Sequence, residues 1–194
     1  MSRALLKQWA LPAGLSLLMA ATRFGHFGSH LAPPDASWAI FFMGGFYLGR
    51  HWRWLLPLWL LEAAALDFAA IRYAGADNYC VTLAYWFIVP AYSALWAGGV
   101  RMRRHYRGGA RDLLPLAWCL LVSVSACYLL TNGSFYWLGG RVSDPTLPGW
   151  WKNLNDWYPH YLSVTFEYVA MAAVLHALGM WRSQRIAIWM SGYR

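Results

Sequence analysis

Charge is what this sequence has least of. Only 12% of its 194 residues are charged, against roughly a quarter in an ordinary soluble domain. Acidic residues are scarcest, with eight Asp and Glu against sixteen Lys and Arg. Cysteine is almost as sparse: three residues, no C-x-x-C pair, and therefore no closed thiolate zinc site. The chain also lacks a G-x-x-x-x-G-K-S/T phosphate loop, an H-E-x-x-H helix and a G-x-S-x-G elbow. These absences exclude the usual nucleotide-driven pumps, zinc proteases and serine hydrolases. Internal repeats and low-complexity tails are missing too, and the first apolar run carries no small-residue cleavage site, so it is read as a retained span.

What is present is apolar and aromatic. Hydrophobic residues make up 59% of the chain, with fourteen Trp, twelve Tyr and nine Phe. A water-soluble core cannot absorb that much apolar surface, whereas amphipathic rings gather where lipid hydrocarbon meets headgroups. A bilayer core of about 30 Å needs about 20 apolar residues per helix. Six segments approach this length: 8 to 22, 36 to 49, 54 to 73, 80 to 100, 112 to 131 and 159 to 181. The second is short and Gly-rich, which fits an oblique or incomplete crossing. The expected fold is an all-α bundle of six transmembrane helices forming one domain over residues 1–194.

Basic residues then set the orientation. With the N-terminus in the cytoplasm, the inner segments hold Arg3, Lys7, Arg50, Arg53, Arg101, Arg103, Arg104, Arg107, Arg111, Arg182, Arg185 and Arg194. The outer segments hold only Arg23, Arg72, Arg141 and Lys152. That asymmetry obeys the positive-inside rule with both termini cytoplasmic, so the net charge of +8 reports topology, and no nucleic-acid partner is expected. Two outer segments stand out by content: 23 to 35, with His26 and His30, and 132 to 158. The latter mixes Tyr136, Trp137, Trp150, Trp151 and Trp157 with Asn132, Arg141, Asn153 and Asn155. It is read as a lid over a large amphipathic ligand, since rings supply contact area and amides supply directional hydrogen bonds; an interfacial aromatic belt is the alternative.

Few residues can carry chemistry. Cys119 and Cys127 lie eight residues apart on the fifth span, about 12 Å of rise, and cannot pair within it; both are expected in the core. Cys80 follows Asp77, Asn78 and Tyr79 where an outer loop enters the fourth span, a setting that suits an aqueous cavity as well as packing. A soft thiolate suits a metal already held by another scaffold, such as a macrocycle with an open axial position. Asp67 lies inside the third apolar run, where an ionisable group is costly. It sits about 9 Å below the outer mouth, and the short connection makes spans three and four neighbours, so Asp67 and Cys80 are expected in one outer cavity. A ligand contact and a structural hydrogen bond both fit Asp67. Tyr85 lies about 140° around an ideal helix from Cys80, so the two would not share a face. Glu62 and Glu167 are read as structural. His26 and His30 are spaced i, i+4, but Gly28 and Pro33 argue for a loop, and a hydrogen bond to a ligand suits them better than chelation.

With these residues in hand, the chain resembles the BtuM-type cobalamin transporters, small six-helix proteins related to the substrate-binding S-components of energy-coupling factor transporters. The resemblance is carried by overall size and six spans, by Asn78-Tyr79-Cys80-Val81-Thr82, by Asp67 and by Tyr85. It implies a bacterial inner-membrane protein whose outer cavity binds cobalamin, with Cys80 sulfur as an axial ligand of cobalt and thiol-dependent loss of the cyano ligand from cyanocobalamin. Tyr79, Asp67, Tyr85, His26, His30, Tyr136 and Arg141 are the expected ligand-contacting residues. An energising module of the energy-coupling factor type is the implied partner beyond lipid, although the Ala-x-x-x-Ala docking face of S-components is represented on the first helix only by Ala10 and Gly14. Two other readings stay open: an S-component for another vitamin, and a membrane-embedded haem or redox protein using His26, His30, His160 or His176.

Overall fold

The computed structural model describes residues 3–26, 33–75, 78 and 81–191, with side chains placed for 9–23, 33–75, 78 and 81–180. Among them every regular element is helical: α1 (Arg3–His26), α2 (Ser37–Leu48), α3 (Trp52–Tyr73), α4 (Ile88–His105), α5 (Leu113–Leu138) and α6 (Leu147–Ser191). Short 3-10 turns, Gly49–His51, Leu83–Phe87 and Ala110–Asp112, precede α3, α4 and α5. Pro90 in α4, Pro115 in α5 and Pro148 in α6 fall in first turns, whose N–H groups lack intrahelical acceptors, whereas Pro12, Pro57 and Pro159 lie inside α1, α3 and α6. Helix α3 stops at Tyr73, and Gly75 follows with a φ of +69°, a left-handed conformation that glycine adopts without a Cβ clash.

Four helical stretches are long and apolar enough to cross a membrane: Ser37–Tyr73, Leu83–His105, Ala110–Leu138 and Leu147–Met180. Their outward surfaces are apolar as well. Trp54 is 80% exposed, Leu114 79% and Trp86 73%, a pattern water would penalise and hydrocarbon accepts.

Cross-contacts give each helix a direction. Phe41 meets Trp59 while Arg23 reaches both Ser37 and Asp67, so α2 and α3 form a hairpin closed at Gly49–His51. Ser16 lies opposite Trp59 and Arg23 opposite Asp67, which makes α1 and α3 run the same way. Asn132 contacts Asn153 and Ser125 contacts Tyr158, which makes α5 and α6 antiparallel. Direction therefore alternates along the chain. One end of the bundle gathers Arg23, Ser37, Asp67, Tyr85, Tyr136 and Thr146; the other gathers Trp9, Arg50, Arg103, Asp112 and His176.

At its centre stands α2. It has twelve residues, about 18 Å of rise, and is buried from Ser37 to Gly45. Gly45 packs against the Trp96 carbonyl and Gly99 against the Phe42 carbonyl, closer than any Cβ would permit, so α2 and α4 touch backbone to backbone.

Three boundaries depart from the sequence reading. Residues 132 to 158 are not a lid loop: α5 continues to Leu138 and α6 begins at Leu147, leaving 139 to 146 as the connection. Amides and rings of this stretch zip the two helices together, with Asn132 Nδ2 donating to Asn153 Oδ1 at 2.6 Å and Trp150 Nε1 to Asn132 Oδ1 at 3.2 Å. Its polarity lowers hydropathy without breaking the helices. Arg23 does not lie in an outer loop, because α1 runs through it to His26. Finally, α4 begins at Ile88, and Tyr85 belongs to the preceding 3-10 turn.

Candidate functional site

The polar centre of the molecule is a buried ion network at the end of the bundle that holds Ser37. Arg23, near the end of α1, is 7% exposed and Asp67, near the end of α3, 5%. Arg23 Nε donates to Asp67 Oδ1 at 2.7 Å and Nη2 to Oδ2 at 2.6 Å, the parallel two-bond geometry that makes Arg–carboxylate pairs strong. Nη1 donates to Asp35 Oδ2 at 3.1 Å, Ser37 Oγ at 3.1 Å and Tyr92 OH at 2.9 Å. Asp35 in turn receives the Ser37 N–H at 2.9 Å and hydroxyl at 2.6 Å, which fastens the start of α2. Thr22 Oγ1 accepts the Ala36 N–H at 3.1 Å and closes the same corner.

Tyr85 joins this network, its hydroxyl donating to Asp67 Oδ2 at 2.7 Å. The 3-10 turn carrying Tyr85 is capped by Thr82, whose Oγ1 accepts the Ala84 N–H at 3.2 Å and whose carbonyl accepts the Tyr85 N–H at 3.0 Å. Upstream, the Val81 N–H donates to the Asn78 carbonyl at 2.9 Å, and Arg141 Nη2 reaches the same oxygen at 3.5 Å. Asn78 and Val81, on either side of Tyr79 and Cys80, are thus placed, while Tyr79, Cys80 and His30 lie outside the described residues. His26 closes α1, and its side chain is likewise outside them.

Asp67 and Tyr85, both expected from the resemblance to contact a ligand, hydrogen-bond each other. The third member of this group, bonded to Asp67, is Arg23, which the sequence reading assigned to an outer loop. A carboxylate inside an apolar run requires a partner, and Arg23, at the end of the first apolar run, is the nearest available cation. Tyr136 is half of a clasp: its hydroxyl donates to the Thr146 carbonyl at 3.1 Å and accepts the Thr146 N–H at 3.2 Å, holding the α5–α6 connection. Glu62 is half-buried on α3, and Glu167 sits on the exposed face of α6. Cys127 is fully buried and Cys119 half-buried against the core.

Histidines are dispersed. His160 and His176 lie sixteen residues apart on α6, about 24 Å of rise, so one metal could not take both. Among the described residues no group of three His, Cys, Asp or Glu side chains converges on a common point. No protein-family model matches this sequence, and no curated protein matches it.

Proposed function

We propose that this chain crosses a bacterial inner membrane six times with both termini in the cytoplasm, binds cobalamin at its outer end through Cys80 and carries it inward. The observation that supports this reading best is the anchoring of the described chain on either side of Cys80. On one side Tyr85 ties it to the buried Asp67–Arg23 pair, and on the other Arg141 reaches the Asn78 carbonyl. A metal ligand has to be held by rigid surroundings to meet its ion reproducibly, and a charge network in an apolar bundle supplies such rigidity. In this reading Asp67 and Tyr85 position the thiol-bearing segment, and Arg141, Tyr79, His26 and His30 stand at the mouth where ligand amides would be met.

Thiolate is a strong soft donor and cobalt would favour loss of the thiol proton. The proposed chemistry is ligand exchange at Co(III). Sulfur takes the lower axial position in place of the vitamin's own benzimidazole nitrogen, which leaves cobalt but stays tethered to the corrinoid; electron donation weakens the bond across the metal, and cyanide leaves as hydrogen cyanide with the thiol proton while water fills its place. No change of oxidation state is needed. Lacking a nucleotide-binding motif, the chain would draw energy for transport from a gradient or from an energising partner.

The absorption spectrum of purified protein mixed with cyanocobalamin tests this directly, and corrinoid bands also separate the reading from a haem protein. Wild type, Cys119→Ala and Cys127→Ala are expected to give a shifted corrinoid spectrum and to release cyanide; Cys80→Ala and Cys80→Ser are expected to do neither. A shift retained in Cys80→Ala would refute cobalt ligation. Growth of a cobalamin-dependent strain without its own importer, at matched expression, then separates chemistry on the vitamin from transport.

A further inference from the structure

At the opposite end of the bundle a cavity of about 450 Å³ opens between α2, α4, α5 and α6, within the roughly 300–1,000 Å³ range of small-molecule sites. Its wall is apolar, built from residues such as Phe42, Met43, Leu116, Val169 and Ala173. The polar groups in the lining are already engaged. His176 Nδ1 is 3.2 Å from Tyr47 OH and Nε2 2.8 Å from Tyr106 OH, so both ring nitrogens have partners. Asp112, 6% exposed, accepts the Arg107 and Gly108 N–H groups at 3.0 and 2.6 Å and holds the turn before α5. An entering molecule would therefore meet hydrocarbon.

The rim is the opposite in character. Arg101, Arg103, Arg104, Arg107 and Arg111 are all exposed, and residues 99 to 113 hold no acid besides the buried Asp112. Arg107 and Arg111 flank Gly108, Gly109 and Ala110 of the lining, and Arg103, which with Arg104 lines the neighbouring cavity, holds its guanidinium 5.6 Å from the Phe46 ring and 6.0 Å from the Tyr106 ring, both of which belong to the lining. A soluble anion would use the arginines and leave the apolar wall empty. An uncharged apolar molecule would use the wall and leave the arginines unanswered. A phospholipid with an anionic headgroup uses both, and the cytoplasmic leaflet is where such lipids meet juxtamembrane arginines.

We propose that this cavity binds one anionic phospholipid of the inner leaflet, an acyl chain lying between α2 and α6 and the phosphate on the arginine rim. The proposal requires a membrane protein but is independent of cobalamin. Native mass spectrometry of the full-length protein, delipidated in detergent and titrated with phosphatidylglycerol or phosphatidylcholine, tests it. Wild type should retain one phosphatidylglycerol and lose phosphatidylcholine. Replacing Arg103, Arg107 and Arg111 by Gln, singly and together, should weaken phosphatidylglycerol about fivefold per arginine and leave phosphatidylcholine unchanged. Ala173→Trp, which fills the cavity from α6, should abolish retention in a protein that stays monodisperse. Equal retention of the two lipids by wild type would overturn the proposal. So would insensitivity to the arginine changes, and phosphatidylglycerol binding that survives Ala173→Trp would place the lipid on surface charge and overturn the cavity as its site. Glycerol phosphate competing as well as the whole lipid would remove the acyl chain from the argument and overturn it equally.

Discussion

Arg23 and Asp67 meet in surroundings where each alone would be costly. Removing one partner of a buried pair strands the other charge and typically costs about 3–5 kcal/mol, far more than the net contribution of the intact pair. Asp67→Asn and Arg23→Gln are each expected to destabilise the protein in detergent by an amount in that range, read as a lowered thermal midpoint. Tyr85→Phe, which removes one hydrogen bond to a charged group, is expected to cost about 1.5–3 kcal/mol. An Asp67→Asn protein that melts with wild type would show that the network does not hold the fold. These residues also mark how far the site was legible. Asp67 announced itself as an acid inside an apolar run, and the short connection after α3 was read as bringing it to Cys80, whereas the partner it meets from that side is Tyr85. Arg23 was hidden because it stands at the boundary of a span, where a cation is ordinarily counted as a loop charge; only the direction of α1 against α3 reveals that it points inward. Asp35, next to two prolines, gave no sign that it fastens the start of α2.

Helix packing depends on small residues in the same way. Where Gly45 and Gly99 let the backbones of α2 and α4 touch, any side chain must push a carbonyl away. Gly99→Ala and Gly45→Ala should each destabilise the bundle by about 1–3 kcal/mol, the range found for overpacking. Gly14→Ala serves as control: no heavy atom lies within 4 Å of its added Cβ, and the gain in helix propensity is about 0.5–1 kcal/mol. Equal melting of Gly99→Ala and Gly14→Ala, followed by tryptophan fluorescence, would contradict the close contact. The sequence reading placed α2 and α3 well, at 36 to 49 and 54 to 73 against Ser37–Leu48 and Trp52–Tyr73, because apolar runs ended at basic residues. It failed where helices continue through amides and rings. Hydropathy falls after Thr131, yet Asn132 pairs with Asn153 and Ser125 with Tyr158 across α5 and α6, and both helices keep going. Nothing in a single-segment hydropathy profile distinguishes such a zipped pair from a lid.

At the scale of the whole molecule, alternation of direction and asymmetry of charge are independent, and they agree. Contacts place Trp9, Arg50, Arg103 and Asp112 at one end and Ser37, Asp67, Tyr85 and Thr146 at the other, while arginine crowds the first end. The second end has less free charge than a residue count suggests, since Arg23 is neutralised within the bundle and Lys152 pairs with Asp156 at 2.6 Å. The expected topology follows. Reporter fusions after residues 52, 106 and 190 should read cytoplasm, and those near 30, 76 and 145 should read the outside. Position 145 is the most demanding, because it lies in the short connection held by the Tyr136–Thr146 clasp and separates α5 from α6. A cytoplasmic signal at 145 would mean that α5 and α6 do not cross as an antiparallel pair, and the six-pass arrangement would fall. A signal inverted at every position would keep the bundle and reverse it, which would put the arginine rim and its proposed lipid on the outer leaflet.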